Sequence, residues 1–187
     1  MIAETDSTDV VFPTELGWMG LAISQDSNGG PQIDQLTFGQ ASASSARETL
    51  AIRRRVRTME SLDWTAIPEV REWVKRLESF AAGRCFLDLS DLRLNLSYLT
   101  DFGRKVVEAC RSVPWGETVS YGELAKRIGS PNASRAVGGV MARNRHPLIV
   151  PCHRIIASTG ALVGFSAPDG IKMKQRLLEN EQTNGGG

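Results

Sequence analysis

The chain has 187 residues, of which 41% are hydrophobic and 23% are charged, a composition typical of globular proteins with one sizeable core or two small domains. No apolar run approaches the roughly 20 residues that span a bilayer, and residues 1–9 are acidic and polar, unlike a signal peptide, so we expect no membrane partner. The three cysteines, Cys85, Cys110 and Cys152, show no CxxC spacing. This argues against a disulfide framework and predicts a reducing compartment: the cytoplasm or, in a eukaryote, the nucleus.

The net charge of +1 hides a difference between the two halves of the chain. Residues 1–100 carry 10 basic and 14 acidic side chains, whereas residues 101–187 carry 12 basic and 7 acidic ones. No acidic residue occurs from Leu124 to Pro168, a stretch that contains Lys126, Arg127, Arg135, Arg143, Arg145 and Arg154. Such a stretch is typical of proteins that bind a polyanion. Charge alone leaves open a basic surface that contacts only solvent.

The first half of the chain predicts a strand meander and two helices. Short apolar or alternating runs at 10–12, 19–23 and 32–38, separated by turn residues, favour three strands. Apolar residues at helical spacing predict helices over 45–56 and 68–82. Cys85 lies beside Phe86 and Leu87, so its predicted role is packing.

The second half predicts a run of helices. Phe102, Val106, Val107 and Cys110 share one face of a helix over 99–113, which makes Cys110 a core thiol. Ser120 and Glu123 form a capping box that begins a second helix, running to about residue 128. A Gly/Pro turn leads to a third helix over 133–143, and the last two helices together predict a helix-turn-helix.

We place a domain boundary near residues 88–98, with domains over 1–95 and 96–181. Residues 182–187 are polar and glycine-rich, which predicts a disordered tail.

The second helix of this pair has two unlike faces. Its predicted buried face consists of Ala136, Val137, Val140 and Met141, and its other face of Arg135, Gly138, Gly139 and Ala142. Each glycine inside a helix lowers the stability of the helix by about 1 kcal/mol relative to alanine. Two glycines on one face of this helix therefore require an explanation. Entry into a DNA groove is one reason. Close packing of another helix against the glycines is the alternative.

Residues 150–156 combine a Cys-His-Arg triplet with a strand-like apolar run. Pro151 removes a backbone donor, so the run is not an ordinary central strand. Neighbouring side chains of a strand point to opposite faces, and we therefore expect no direct contact between Cys152 and His153. The three cysteines and the two histidines, His146 and His153, show no metal-ligand spacing, so we expect no zinc site and no cofactor.

Four motifs carry a resemblance to a known family. They are Tyr121-Gly122-Glu123-Leu124-Ala125, Arg135-Ala136-Val137-Gly138-Gly139, Asn144 and Pro151-Cys152-His153-Arg154. In this order and at this spacing, the sequence resembles the O6-alkylguanine-DNA alkyltransferases. The resemblance is close over 99–181 and reaches the first half only as a general pattern of strands and helices.

The resemblance implies a role for each residue of the chemistry. Cys152 would accept the alkyl group, and His153 would activate it through a bridging water. Asn144 would hold the active-site turn, and Tyr121 or Lys174 would supply a donor at O6 of the leaving guanine. A late glutamate would orient His153. The family's final Lys, Leu-Leu and Glu pattern selects Lys174 and Glu181, whereas counting without a gap from Ser166 selects Lys172 and Glu179. We expect Glu181 and Lys174, because a two-residue insertion is easier in a loop than in a helix.

The resemblance also implies a DNA surface and a pocket. Arg135 would fill the gap that the flipped guanine leaves in the base stack, and Tyr121 would lie beside the flipped nucleotide's phosphate. The other DNA-facing residues would be Ser134, Gly138, Gly139 and Ala142. The pocket residues would be Met141, Pro151, Arg154, Ile155, Gly164, Phe165 and Ser166.

Two segments depart from the family pattern. Ala167-Pro168-Asp169 replaces the glycines that usually follow the pocket-loop serine, which puts the loop shape in doubt. Arg145-His146-Pro147 follows Asn144, where the family often has proline, and is expected to add a phosphate contact and to loosen the turn.

The resemblance implies repair of duplex DNA by a single-use protein. The alkyl group would pass irreversibly from O6 of guanine, or from O4 of thymine, to Cys152. The implied fold is α+β, with an N-terminal ribonuclease-H-like small sheet and helices, and a mainly helical C-terminal domain of winged helix-turn-helix type. We expect a monomer without a metal ion.

Four other interpretations stay open. They are a damage-binding relative, which would normally lack the cysteine, and an inactive member that keeps it. The others are a helix-turn-helix regulator, and a Cys-His hydrolase that would need His146.

Overall fold

The structure, a computed structural model, describes residues 7–54, 63–84 and 89–183. The chain divides into two compact units, Met1–Asn95 and Leu96–Gly187. Cys85 and residues 184–187 lie outside the described residues, so the predictions made for them stay predictions. No helix in the described ranges is both long enough and apolar enough to cross a membrane.

The first unit is built on a three-stranded antiparallel meander. Strands β1 (Thr8–Thr14), β2 (Gly17–Gln25) and β3 (Pro31–Gln40) lie in the order β1-β2-β3. Each strand contains one of the three predicted runs and extends it at both ends. Leu21 pairs with Val10 on one side and with Leu36 on the other, and all three side chains are completely buried. Antiparallel pairing of an alternating pattern therefore gathers the apolar residues on the core face.

Two helices complete the first unit. Helix α1 (Ala43–Arg54) packs against β2 and β3, and Gly20 lets it approach closely. A Cβ at Gly20 would lie 2.9 Å from Leu50 Cδ1. Helix α2 (Pro68–Ala81) begins at a proline, whose fixed φ suits the first turn of a helix. The small antiparallel sheet with helices confirms the mixed α and β class.

The second unit contains the helices predicted from periodicity and capping. They are α3 (Asp101–Arg111), α4 (Tyr121–Arg127) and α5 (Ser134–Ala142). The predicted capping box is present: Ser120 Oγ accepts from the Glu123 N–H at 3.1 Å, and Glu123 Oε2 accepts from the Ser120 N–H at 2.7 Å. Gly129, with φ of +74°, ends α4 and opens the turn to α5.

Two features of the second unit differ from expectation. The dipeptides Val119–Ser120 (β4) and Ile155–Ile156 (β5) form a short parallel pair. Strand β5 is the end of the strand-like run predicted over 150–156, whereas β4 and the pairing were not indicated by sequence patterns. Helix α6 (Ile171–Thr183) includes residues 182 and 183, which composition had placed in the tail. That prediction is wrong for these two residues, because the helix continues and Thr183 Oγ1 donates to the Glu179 carbonyl at 2.8 Å.

Candidate active site

Cys152 lies in a single 3-10 turn, Cys152–Arg154, directly before β5. The predicted strand-like run is wrong at this point, because the chain turns after Pro151. The Cys152 N–H donates to the Val150 carbonyl at 2.7 Å, and the Arg154 N–H donates to the Pro151 carbonyl at 2.9 Å. Side chains of a turn do not alternate as in a strand, so Cys152 meets Asn144 while His153 and Arg154 both reach Glu181.

Asn144 ties the cysteine to the segment that follows α5. Its Nδ2 donates to Cys152 Sγ at 3.2 Å and to the Val150 carbonyl at 2.9 Å. Its Oδ1 accepts from the His146 N–H at 2.9 Å. Asn144 is buried, so its amide connects the two ends of the 144–152 segment without competition from water.

The glutamate beside His153 is Glu181 rather than Glu179. Glu181 Oε1 lies 2.7 Å from His153 Nε2, and both side chains are at most 1% exposed. Glu179, one half-turn earlier on α6, is exposed and accepts a hydrogen bond from Gln175 at 2.8 Å. Helical periodicity separates the two glutamates, since residues two apart point to different sides of a helix.

Other donors also converge on the Glu181 carboxylate. Arg154 Nε donates to its two oxygens at 3.1 and 3.0 Å, and the Gly116 N–H donates to Oε2 at 3.1 Å. Arg154 also donates through Nη1 to the Val113 carbonyl at 2.7 Å. The sequence analysis placed Arg154 in the substrate pocket. The structure instead turns its guanidinium toward Glu181 and the end of α3.

A cavity of about 260 Å³ opens in front of Cys152. The residues that line it are Tyr121, Gly138, Met141, Ala142, Cys152, Gly164, Phe165 and Ser166. Among the predicted pocket residues, Pro151, Arg154 and Ile155 are buried but do not belong to this lining. Their place behind Cys152 follows from the turn, which leaves only the cysteine facing the cavity.

Lys174 does not line the cavity either, although it was expected to reach O6 of a bound guanine. Its side chain is fully buried, and its Nζ donates to the Ile155 carbonyl at 2.6 Å and to the Val163 carbonyl at 3.2 Å. Lys174 therefore links the first residue of β5 to the start of the pocket loop, residues 163–170. Asp169, with φ of +64°, turns this loop into α6.

The glycine stripe of α5 is not filled by the rest of the second unit. A Cβ at Gly138 would meet only the Tyr121 ring at 3.9 Å, and one at Gly139 only the Arg143 guanidinium at 3.7 Å. These are ordinary contact distances, so helix packing does not require glycine at either position. Arg135 is exposed, and so is Ala136, which the sequence analysis had placed on the buried face.

Comparison with known proteins adds to this geometry. Residues 101–183 match the family described as 6-O-methylguanine DNA methyltransferase, DNA binding domain. The methylated-DNA–protein-cysteine methyltransferase of Methanosarcina acetivorans is 44% identical over 113 residues, 59% of this chain and 68% of that protein. The protein of that name from Mycobacterium leprae is 40% identical over 112 residues, 59% of this chain and 64% of its own length. The chain thus spans about two thirds of the length of each of these two relatives.

Two solved structures are similar to nearly the whole length of this chain. The O6-methylguanine methyltransferase of Mycobacterium tuberculosis is 30% identical, covers 95% of this chain and 94% of its own, and superimposes with a TM-score of 0.70. The chain belongs to the methylated-DNA–protein-cysteine methyltransferase family. Mycobacterium tuberculosis OGT in complex with DNA is similar as well, with a TM-score of 0.66, 30% identity, and coverage of 95% of this chain and 94% of that one.

In the site of this methyltransferase-family protein, His153 and Glu181 each have a defined protonation state. Burial by itself would raise the pKa of Glu181, but the hydrogen bonds and charges of His153 and Arg154 lower it to about 2. Burial lowers the pKa of His153 and outweighs the opposing effect of Glu181. At neutral pH the pair is therefore a carboxylate and a neutral imidazole. Since the carboxylate accepts from Nε2, the Nδ1 atom is left unprotonated as a base.

The Cys152 thiol is protonated at rest. Burial raises its pKa, while the Asn144 hydrogen bond and the Lys174 charge act in the opposite direction. A base must therefore take its proton during any reaction at neutral pH, because the thiolate is the nucleophilic form. Tyr121, half-buried at the cavity wall, also has a pKa raised by burial, so its hydroxyl stays a donor.

Acidification is expected to destabilise the second unit through Glu181. Its pKa falls from 4.5 to about 2 on folding, so the carboxylate contributes stability above pH 4.5 that is lost as the pH falls toward 2. The shift corresponds to about 3 kcal/mol, since one pKa unit is about 1.4 kcal/mol. Hydrogen exchange of the α6 amides at pH 7, 4.5 and 3 measures this loss. In a Glu181→Gln variant, the loss between pH 7 and pH 3 should be smaller by about 2 kcal/mol, because the remainder of the wild-type loss occurs only as the pH falls toward 2. An equally steep loss in the variant would contradict the assignment.

Sequence reasoning missed the groups that surround the glutamate. Trp115 and Gly116 follow the helix predicted over 99–113 and were assigned no role, but Trp115 Nε1 donates to the Glu181 carbonyl at 2.9 Å. Gly116 has φ of +76° and directs its N–H at the carboxylate. The glycine after Trp115 was the available signal, since a positive φ suits a backbone donor that must face a buried anion. Across the described residues, no group of three or more potential metal ligands occurs.

Proposed function

We propose that this protein repairs DNA by moving an alkyl group from O6 of guanine to Cys152, once per molecule. The observation that carries the proposal is the position of Cys152, the one thiol facing a cavity whose other walls are two aromatic rings, Met141 and small residues. Behind the sulfur stand the Asn144 amide and the buried His153–Glu181 pair. Together these groups make a nucleophile that can attack a saturated carbon held in the cavity.

The transfer is a direct displacement. The sulfur of Cys152 forms a bond to the alkyl carbon as the bond from that carbon to O6 breaks, and the electron pair leaves with the guanine. The thiol proton passes to His153 through a bridging water, and the Glu181 carboxylate stabilises the imidazolium that forms. The leaving guanine accepts a hydrogen bond or proton from Tyr121, the one hydroxyl-bearing ring of the cavity wall. The product is a thioether, which does not ionise and is no leaving group, so the protein does not turn over.

Lys174 supports this reaction without touching the base. Its charge favours the Cys152 thiolate, and its two carbonyl contacts fix β5 and the pocket loop relative to each other. Gly164, Phe165 and Ser166 of that loop, with Met141 opposite, then bound the space for the base.

DNA binds along α5 in this proposal. Ser134, Arg135, Gly138, Gly139 and Ala142 face outward, and the open space beside the glycines admits a groove wall close to the helix backbone. Helices α4 and α5 act as a helix-turn-helix of winged type, with α5 in the groove. The target base leaves the stack, at a cost of a few kcal/mol, and Arg135 occupies the gap.

Finer parts of the proposal follow from the same chemistry. O4 of thymine is a second alkyl donor, since it presents an alkylated exocyclic oxygen like that of guanine. One chain holds the complete site, so a monomer acts alone on duplex DNA. A free nucleophilic thiol requires a reducing compartment such as the cytoplasm or nucleus. The first unit adopts the small sheet and helices of ribonuclease-H-like type.

Replacing Arg135 with alanine should impair repair of duplex DNA much more than reaction with the free base. Its proposed task is to hold open the stack, which exists only in the duplex. We expect a rate on an O6-methylguanine duplex lower by about 10–100-fold, equivalent to 1.4–2.8 kcal/mol, and a rate with free O6-methylguanine changed less than threefold. Arg71→Ala, an equal charge change on exposed α2, is the control. Equal losses on both substrates would argue against this role.

Intact-protein mass after incubation with duplex DNA that contains one O6-methylguanine tests the proposed function. The expected result is a gain of one methyl group, mapped to Cys152 and saturating at one per protein. Binding of damaged DNA without a mass gain would indicate a damage-recognition protein. No preference for damaged DNA would favour a regulator that reads undamaged sequence.

A further inference from the structure

A cation–π stack lies directly beside the active-site turn. The Arg145 guanidinium carbon is 4.0 Å from the centroid of the Tyr98 ring, within the range at which a ring face attracts a cation. The Tyr98 ring also lies against the His146 imidazole, with 6.2 Å between ring centroids. One aromatic side chain from the segment before α3 therefore holds two consecutive residues that follow Asn144.

His146, whose N–H belongs to the peptide bond that follows Arg145, contacts Asn144 directly. The His146 N–H donates to Asn144 Oδ1 at 2.9 Å, and the His146 carbonyl accepts from the Val150 N–H at 2.8 Å. Between His146 and Val150 the chain passes through Leu148, whose φ of +71° is a left-handed conformation that a leucine rarely adopts. A rotation of the 145–146 peptide would therefore move the Asn144 amide away from Cys152.

We propose that Tyr98 and Arg145 are positioning residues for the alkyl transfer, whose stack orients the Asn144 amide so that Nδ2 donates to Cys152 Sγ. The reaction in this statement rests on the proposed function. Residue 145 is not a proline, so no ring restrains its φ, and the contact with Tyr98 supplies the restraint instead. The turn was expected to be loosened by Arg145, and the geometry points to the opposite effect.

The effect on chemistry follows from the Asn144 hydrogen bond. Burial raises the pKa of Cys152, and the Asn144 amide is the leading group that opposes this rise. A displaced amide leaves the thiol harder to ionise, so the pH at which Cys152 reacts moves upward. A contact that served only stability would lower the melting temperature without moving this pH midpoint.

The test is the pH dependence of Cys152 modification in the full chain, measured with two reagents by peptide mass. Iodoacetamide reports thiol ionisation without any nucleobase, and duplex DNA with O6-methylguanine reports the transfer itself. We expect Arg145→Ala and Tyr98→Leu to raise the pH midpoint of Cys152 modification by about half a pH unit to one pH unit with both reagents. One unit is a tenfold change in thiolate fraction, so rates at pH 7 should fall about three- to tenfold. Arg145→Lys and Tyr98→Phe, which keep the cation or the ring, should recover most of the loss.

Two further variants test whether the Tyr98–Arg145 stack acts on Cys152 through the Asn144 amide. Asn144→Ala should show the same shift, and adding Arg145→Ala to it should shift the midpoint no further, since the stack acts through the amide. Arg71→Ala, the same charge change on exposed α2, should keep the original midpoint. Wild-type midpoints in Arg145→Ala, or additive shifts in the double variant, would overturn the proposal. If Tyr98→Leu does not fold, Arg145→Ala decides, because its side chain is only half-buried.

The two reagents also distinguish this proposal from the function on which it rests. A wild-type chain that reacts with iodoacetamide but takes no methyl group from DNA would refute the proposed transfer. A chain that takes the methyl group with unshifted variant midpoints would refute the positioning role alone.

Discussion

Alanine in place of Cys152 is expected to abolish alkyl transfer completely while leaving damaged DNA bound. The Cys152 thiol is the strongest nucleophile of the cavity wall, whose other reactive groups are the Tyr121 and Ser166 hydroxyls and the Met141 thioether. Cys110 is completely buried, and burial raises its pKa well above the usual value. The surface that we assign to DNA lies on α5 and is unaffected by the change.

Two measurements on this variant test the prediction. Intact mass after incubation with O6-methylguanine DNA should show no adduct, and titration of a labelled duplex should give a dissociation constant within about threefold of the wild-type value. Cys110→Ala serves as the matched control, because it removes the other described cysteine and should keep full transfer. Residual methyl gain in Cys152→Ala would disprove the assignment of the acceptor. Loss of binding would place the thiol in DNA recognition.

Glutamine in place of Glu181 is expected to slow transfer by about 10²–10⁴-fold, the usual contribution of a positioned acid or base. The neutral amide cannot stabilise the imidazolium that His153 becomes. The change also leaves the Arg154 guanidinium, 2.9 Å from Glu181 Oε1, without a buried counter-charge. Removing one partner of a buried ion pair costs roughly 3–5 kcal/mol, so the unfolding free energy of the second unit should fall as well.

Glu179→Gln is the matched control for this variant. It makes the same chemical change two residues away, on the exposed side of α6, and should alter neither property. Single-turnover rates at several pH values and urea unfolding followed by hydrogen exchange of α6 measure the two effects. A fully active Glu181→Gln protein would show that His153 needs no carboxylate. A slow Glu179→Gln protein would mean that the wrong glutamate has been chosen.

Local features could be predicted from the sequence because their causes lie within a few residues. The Ser120–Glu123 capping box, the meander of three alternating strands and the helices of the second unit depend on neighbours along the chain. The candidate nucleophile Cys152 was implied instead by the resemblance of Pro151-Cys152-His153-Arg154 and the glycine-striped helix to a known family. The turn at Cys152 was missed, because an apolar run of this length reads equally well as a strand.

Other features were decided by tertiary structure, because they depend on distances between segments far apart in the chain. Two late glutamates fit the sequence pattern, and only the facing direction of α6 brings Glu181 to His153. Arg154 and Lys174 were both expected at the substrate, yet a buried carboxylate attracts the first and backbone carbonyls hold the second. Whether Gly138 and Gly139 are packed or bare depends on what stands opposite them, and nothing closer than ordinary contact does. The sequence thus determined which chemical groups are available, and packing determined which of them meet, since burial is what makes each pairing strong or costly.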